Sequence, residues 1–232
     1  MMHVNPHAIF DDSVVAADAP TEARVAFLKK TYGLLLAAIL VFAGTLFVAG
    51  QPGPIHDMAR ALTGHWLVYM VVFLGGAMAV HSLAETKIGI WVFFAFTFLW
   101  GLLSAPLILM IANSAGGDVI IGQASLITAF VFTGLTAYVF KSGKDFAFLG
   151  GILTIGIFGL FGLGLASLIF GFGIGIWYCY FGAILFAGYI LYDTSNILKR
   201  YPTTAYVSAA MVLFVDVIML FKYILIILSS RD

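Results

Sequence analysis

Charge is what this sequence lacks most. Only 9% of its 232 residues are Asp, Glu, Lys or Arg, where a soluble domain carries about 25%. That shortfall excludes an ordinary water-facing surface, and with 62% hydrophobic residues and a mean hydropathy of +1.09 most of the surface has to face lipid. The formal net charge is zero, which removes the electrostatic basis for nucleic-acid binding. Cys179 has no second cysteine to pair with, so an intrachain disulfide is excluded. A basic secretory n-region is also missing: Asp11, Asp12, Asp18 and Glu22 precede the first apolar run. That run ends at Gly50-Gln51-Pro52-Gly53 rather than at a small-residue cleavage site, and it reads as a retained span.

Long apolar runs are what the sequence has instead. A hydrocarbon core of about 30 Å needs roughly 20 apolar residues per helix. Seven runs qualify, near 32–49, 66–84, 88–112, 119–140, 146–170, 177–198 and 205–229. Lipid cannot satisfy backbone polar groups, so each run is expected to be a helix, although the glycine-rich fifth could be broken. The expectation is an all-α integral membrane protein, a single seven-helix domain over 31–232 after a polar tail over 1–30. The tail is expected to be loose until an amphipathic stretch near Glu22 to Lys30.

Orientation follows from the basic residues. Arg24, Lys29, Lys30, Lys87, Lys141, Lys144, Lys199 and Arg200 fall on one side, against Arg60 and Arg231 on the other. The N-terminus is therefore expected in the cytoplasm. Small residues mark close helix contacts, above all Gly150, Gly151, Gly156, Gly159, Gly162 and Gly164 in the fifth run. Pro106 in the third run removes one backbone donor and is expected to kink it.

Two acids remain inside the runs once loops and tails are set aside: Asp193 and Asp216. A carboxylate at that depth costs at least about 2.5–3.5 kcal/mol, so a functional role is the default reading. Asp193 lies roughly 8 Å and Asp216 roughly 16 Å from the cytoplasmic ends of their helices. The short connection at Tyr201-Pro202 makes the two helices antiparallel neighbours, and a modest tilt or offset brings the carboxyl groups together. Gly182, Phe186, Tyr189, Asp193, Asn196 and Arg200 recur at three- and four-residue spacing, giving one partly polar face that should turn inward. Two carboxyl groups in contact at low dielectric cannot both ionise cheaply, so they share a proton and titrate as a unit. The plain alternative is a permanently protonated hydrogen bond between helices. Lys222 is expected to snorkel or to find a backbone carbonyl. His81, near the cytoplasmic end of the second run, could approach the pair from the side or serve only structure. His3, His7, His56 and His65 lack ligand spacing, so no zinc site is expected.

With these residues in hand, the chain resembles the Bax inhibitor-1 (transmembrane Bax inhibitor motif) family over all seven runs. The carriers are Gly101-Leu102-Leu103-Ser104-Ala105-Pro106, Leu191-Tyr192-Asp193-Thr194-Ser195-Asn196-Ile197 and Leu213-Phe214-Val215-Asp216. Within the family, Lys144 to Gly151, Thr194 to Ile197, Gly117 to Ile120 and Ser230-Arg231-Asp232 resemble proteobacterial modulators of the FtsH-type membrane protease. That resemblance implies a bacterial inner-membrane protein with no enzymatic activity, which binds the protease and restrains it. Another part of the family implies a pH-sensitive calcium leak governed by an aspartate pair at the positions of Asp193 and Asp216. By that resemblance these two would gate, sense protons and meet calcium, with His81, Arg200 and Lys222 as auxiliary candidates. The chain departs from the leak pattern where Leu83 and His81 replace an arginine and where Met219 replaces an asparagine.

An aspartyl protease is disfavoured. Such enzymes need Gly-x-Gly before the second aspartate to free backbone for substrate, and Leu213-Phe214-Val215 stands there. The branch resemblance favours the protease modulator, the intact acid pair favours the leak, and the two are compatible.

Overall fold

A computed structural model describes residues 14–62 and 66–230. Among these residues every extended element is a helix: α1 (Thr21–Ala49), α2 (Pro54–Ala61), α3 (Trp66–Leu83), α4 (Gly89–Ala112), α5 (Gly117–Ser142), α6 (Gly150–Phe170), α7 (Ile176–Lys199) and α8 (Tyr206–Ser229), with one 3-10 turn at Ala147–Leu149 before α6. Each expected run is found as a helix. Six of them (α1, α4, α5, α6 with its preceding turn, α7 and α8) are long and apolar enough to cross a membrane. The described apolar stretch of α3, Val71–Leu83, is shorter. His3, His7, His65 and the terminal Arg231 and Asp232 lie outside the described residues.

The chain forms two compact units, 1–114 with 200–214, and 115–199 with 215–232. In the first, α1 buries one stripe, Ala23, Phe27, Thr31, Leu35, Ala38, Phe42, Thr45 and Ala49, the spacing of one helix face. It presses on α4 so closely that a Cβ at Gly101 would stand 2.8 Å from Thr45 Cβ. Pro106 lies inside α4, which continues through it to Ala112. Phe214 fills the unit's interior, with ring centroids 6.1 Å from Phe42, 6.0 Å from Phe93 and 6.3 Å from Phe96. Helix α2, too short and polar to register among the apolar runs, packs Ala59 with Ala49, Leu102 and Ala105. A ring nitrogen of His56, Nδ1, lies 2.8 Å from the Ala49 carbonyl at the end of α1.

Residues 14–20, just before α1, are held rather than loose. Val15 bridges Pro202, the Ala16 N–H donates to the Tyr201 carbonyl at 2.8 Å, and Ala16 is fully buried. Lys30 Nζ lies 5.3 Å from the Tyr206 ring centroid, a cation–π contact.

In the second unit the glycine-rich run is one unbroken helix, α6. Its glycines divide by face. A Cβ at Gly156 would stand 2.5 Å from Leu185 Cδ1, and one at Gly150 3.0 Å from the Tyr192 ring. Gly151, Gly159 and Gly162 would meet nothing within 4 Å. With Gly164, where a Cβ would stand 3.2 Å from the Tyr178 hydroxyl, three of the six glycines thus face α7, and the other three meet no neighbour among the described residues.

Candidate functional site

Helices α7 and α8 are antiparallel, as their contacts show. Early on α7, Gly182 admits the Tyr223 ring, which a Cβ there would meet at 2.6 Å. One turn further, Phe186 stacks on the same ring at 5.9 Å and 28°. Two turns beyond, Asp193 meets Asp216, which lies two turns before Tyr223 on α8. Close packing at Gly182 therefore sets the register that puts the carboxyl groups opposite each other.

Asp193 and Asp216 are within side-chain hydrogen-bonding contact of each other. Asp216 is only 3% exposed, and its Oδ2 is buried without a hydrogen-bond partner among the described residues. Asp193 is half-buried. A hydrogen bond between two carboxyl groups needs a proton on one of them, because an ionised carboxylate only accepts. Contact of this kind therefore requires a proton on at least one of the two carboxyl groups.

Lys222 is half-buried further along α8, His81 is exposed at the end of α3, and Arg200 is exposed just after α7. His81 and Arg200 belong to the first unit and the two aspartates to the second. The inward face expected on α7 holds for Gly182, Phe186 and Asn196, which are buried, with Tyr189 and Asp193 half-buried, but not for Arg200. No group of three or more His, Cys, Asp or Glu able to hold a metal is found among the described residues. A calcium ion takes six to eight oxygens, so two carboxyl groups could supply only part of a shell for a passing ion.

Hydroxyl and amine contacts that the sequence did not reveal tie the site to its neighbours. Tyr189 OH donates to the Leu153 carbonyl of α6 at 3.0 Å. Ser195 Oγ accepts the Phe146 N–H at 3.0 Å and donates to the Lys144 carbonyl at 3.5 Å. Lys199 Nζ donates to the Gly143 carbonyl at 2.8 Å. Tyr189, Tyr192, Ser195 and Lys199 recur every three or four residues, so one stripe of α7 grips the α5–α6 connection and the start of α6. Their partners are mostly backbone atoms, which no residue pattern reveals.

Comparison with known proteins places the chain in a family. The family model described as "Inhibitor of apoptosis-promoting Bax1" matches residues 24–232. Bax inhibitor 1 of Schizosaccharomyces pombe is 33% identical, covering 95% of this chain and 82% of its own. A BI1-like protein of Arabidopsis thaliana is 31% identical over 90% of this chain and 82% of its own. Protein lifeguard 4 of Mus musculus is 30% identical over 93% and 90%. With a family model spanning nearly the whole chain and relatives matched over most of their length, this multi-pass membrane protein belongs to the Bax inhibitor-1 family.

Proposed function

We propose that the protein is a non-enzymatic, proton-responsive membrane protein in which Asp193 and Asp216 latch α7 to α8 and control passage of a cation, calcium in the first instance. The carrying observation is the contact between the two carboxyl groups, one of them 3% exposed with an unpartnered oxygen. A packed pair holds one shared proton. Loss of that proton leaves two like charges in low dielectric, which separation of the helices or an arriving cation relieves. Helix α8 runs unbroken through Asp216, leaving no free backbone for a peptide substrate, which supports a non-enzymatic role.

Calcium release from loaded liposomes tests the reading. Wild type should leak increasingly as pH rises, while Asp193→Asn and Asp216→Asn should lose most of that dependence. No flux at any pH would sink the leak.

A second reading keeps the latch and gives it a different output, restraint of an FtsH-type membrane protease. It is supported by the attachment of Lys144 and Phe146 to Ser195, two residues from Asp193. The stretch that resembles the protease modulators is thereby coupled to the acid-bearing helix. Failure to co-purify with the protease in mild detergent would count against it.

For placement we propose seven crossings of a bacterial inner membrane with the N-terminus in the cytoplasm. At 18 residues, α3 spans about 27 Å, close to the hydrocarbon thickness. The eight-to-two distribution of basic residues supports the orientation.

A further inference from the structure

Leu153 on α6 meets α7 in two ways. Its side chain fills the space beside Gly188, where a Cβ would stand 2.8 Å from Leu153 Cδ2. Its carbonyl accepts the Tyr189 hydroxyl at 3.0 Å. These successive α7 residues therefore fix α7 on α6 at one register. Tyr189 lies four residues before Asp193, the spacing of side-chain neighbours on one helix face, and it is within electrostatic reach of both Asp193 and Asp216. With its hydroxyl proton engaged by Leu153, the phenol acts as a strut rather than as a donor to the carboxyl groups.

We infer that Tyr189 is a positioning residue for the acid pair: anchored on the Leu153 carbonyl, it holds α7 at the register in which Asp193 meets Asp216. This rests on the shared-proton reading proposed above. The titratable groups that interact with Tyr189 are Asp193 and Tyr192 on α7 and Asp216 on α8; α6 carries no ionisable side chain. Tyr189→Phe removes only the strut's hydroxyl and keeps the ring, whose centroid lies 5.7 Å from that of Phe186 and 6.5 Å from that of Tyr192. Freed from Leu153, α7 can slip at Asp193, which weakens the shared-proton arrangement and releases the proton at lower pH.

The test is infrared difference spectroscopy of the reconstituted full chain across pH, following the protonated-carboxyl C=O band assigned by its loss in Asp216→Asn. Tyr189→Phe should move the midpoint of that band downward by about half a pH unit to one unit, the scale of one lost hydrogen bond. Tyr192→Phe should leave it in place. An unmoved midpoint in Tyr189→Phe, or an equal movement in Tyr192→Phe, overturns the positioning role while leaving the acid pair intact. Absence of any titrating band sensitive to Asp216→Asn overturns the pair itself, and the positioning role with it.

Discussion

Asp216 sits at 3% exposure with one oxygen unpartnered, so its substitutions should separate hydrogen bonding from charge. Asp216→Ala strands the Asp193 carboxyl group beside a small void and should cost about 1–3 kcal/mol. Asp216→Asn keeps a hydrogen-bonding group and should cost clearly less, as thermal unfolding in detergent would show. The packed pair binds one proton more than the separated, ionised pair, so packing is favoured at low pH and loses ground as pH rises. The Asn variant should lack that slope. Glycines give a second contrast at this scale. Gly182→Ala places a methyl 2.6 Å from the Tyr223 ring and should destabilise by about 1–3 kcal/mol through overpacking. Gly159→Ala meets nothing within 4 Å and should be neutral or stabilising by up to about 1 kcal/mol. Equal melting temperatures for the two would contradict the packing described. The acids were legible in the sequence because elimination leaves only two inside apolar runs. The Tyr189, Ser195 and Lys199 contacts were not, since their partners are backbone atoms.

Among the elements, agreement was closest where an apolar run is bounded by charge or turn residues: 88–112 became Gly89–Ala112, and 205–229 became Tyr206–Ser229. The departures have local causes. Amphipathic stretch and first span fuse into one helix of 29 residues, about 44 Å long, so its first turns outrun a 30 Å core. Helix α2 escaped notice because eight residues containing His56, Asp57 and Arg60 make no apolar run; it forms by laying Ala59 against α1 and α4. The pairing of Ala16 with Tyr201 involves backbone alone and leaves no trace in the sequence. The α5–α6 connection is the element most open to test. Ser195→Ala removes the acceptor of the buried Phe146 N–H and should cost about 1–3 kcal/mol. Amide exchange over 144–147 should accelerate at least several-fold in that variant and more in Ser195→Ala with Lys199→Ala. Unchanged protection would mean that α7 does not hold the connection.

For the molecule as a whole, composition was enough to read a membrane protein, and basic-residue asymmetry enough to propose its orientation. The division into two compact units was not visible, because hydropathy is similar on either side of Ser114. Burial separates the helices in a way that hydropathy does not. More than half of the apolar window of α4 and α8 is buried, against 17% for α5 and α6, so the latter two leave most of their apolar windows uncovered by the described residues. Both aspartates lie in the second unit, with all of α7 and the part of α8 from Val215 onward, and α7 and α8 are joined by the short connection 200–205. That connection keeps the neighbouring helix ends together, so any parting of α7 from α8 should register most at their far ends. The decisive measurement is therefore a pH series of electron–electron resonance distances between spin labels at Phe181 and Ser230, in wild type and in Asp216→Asn. A shared-proton latch requires the wild-type distance to lengthen as pH rises and the Asn variant to stay at its low-pH distance. A wild-type distance indifferent to pH, or an Asn variant that follows wild type, would contradict it.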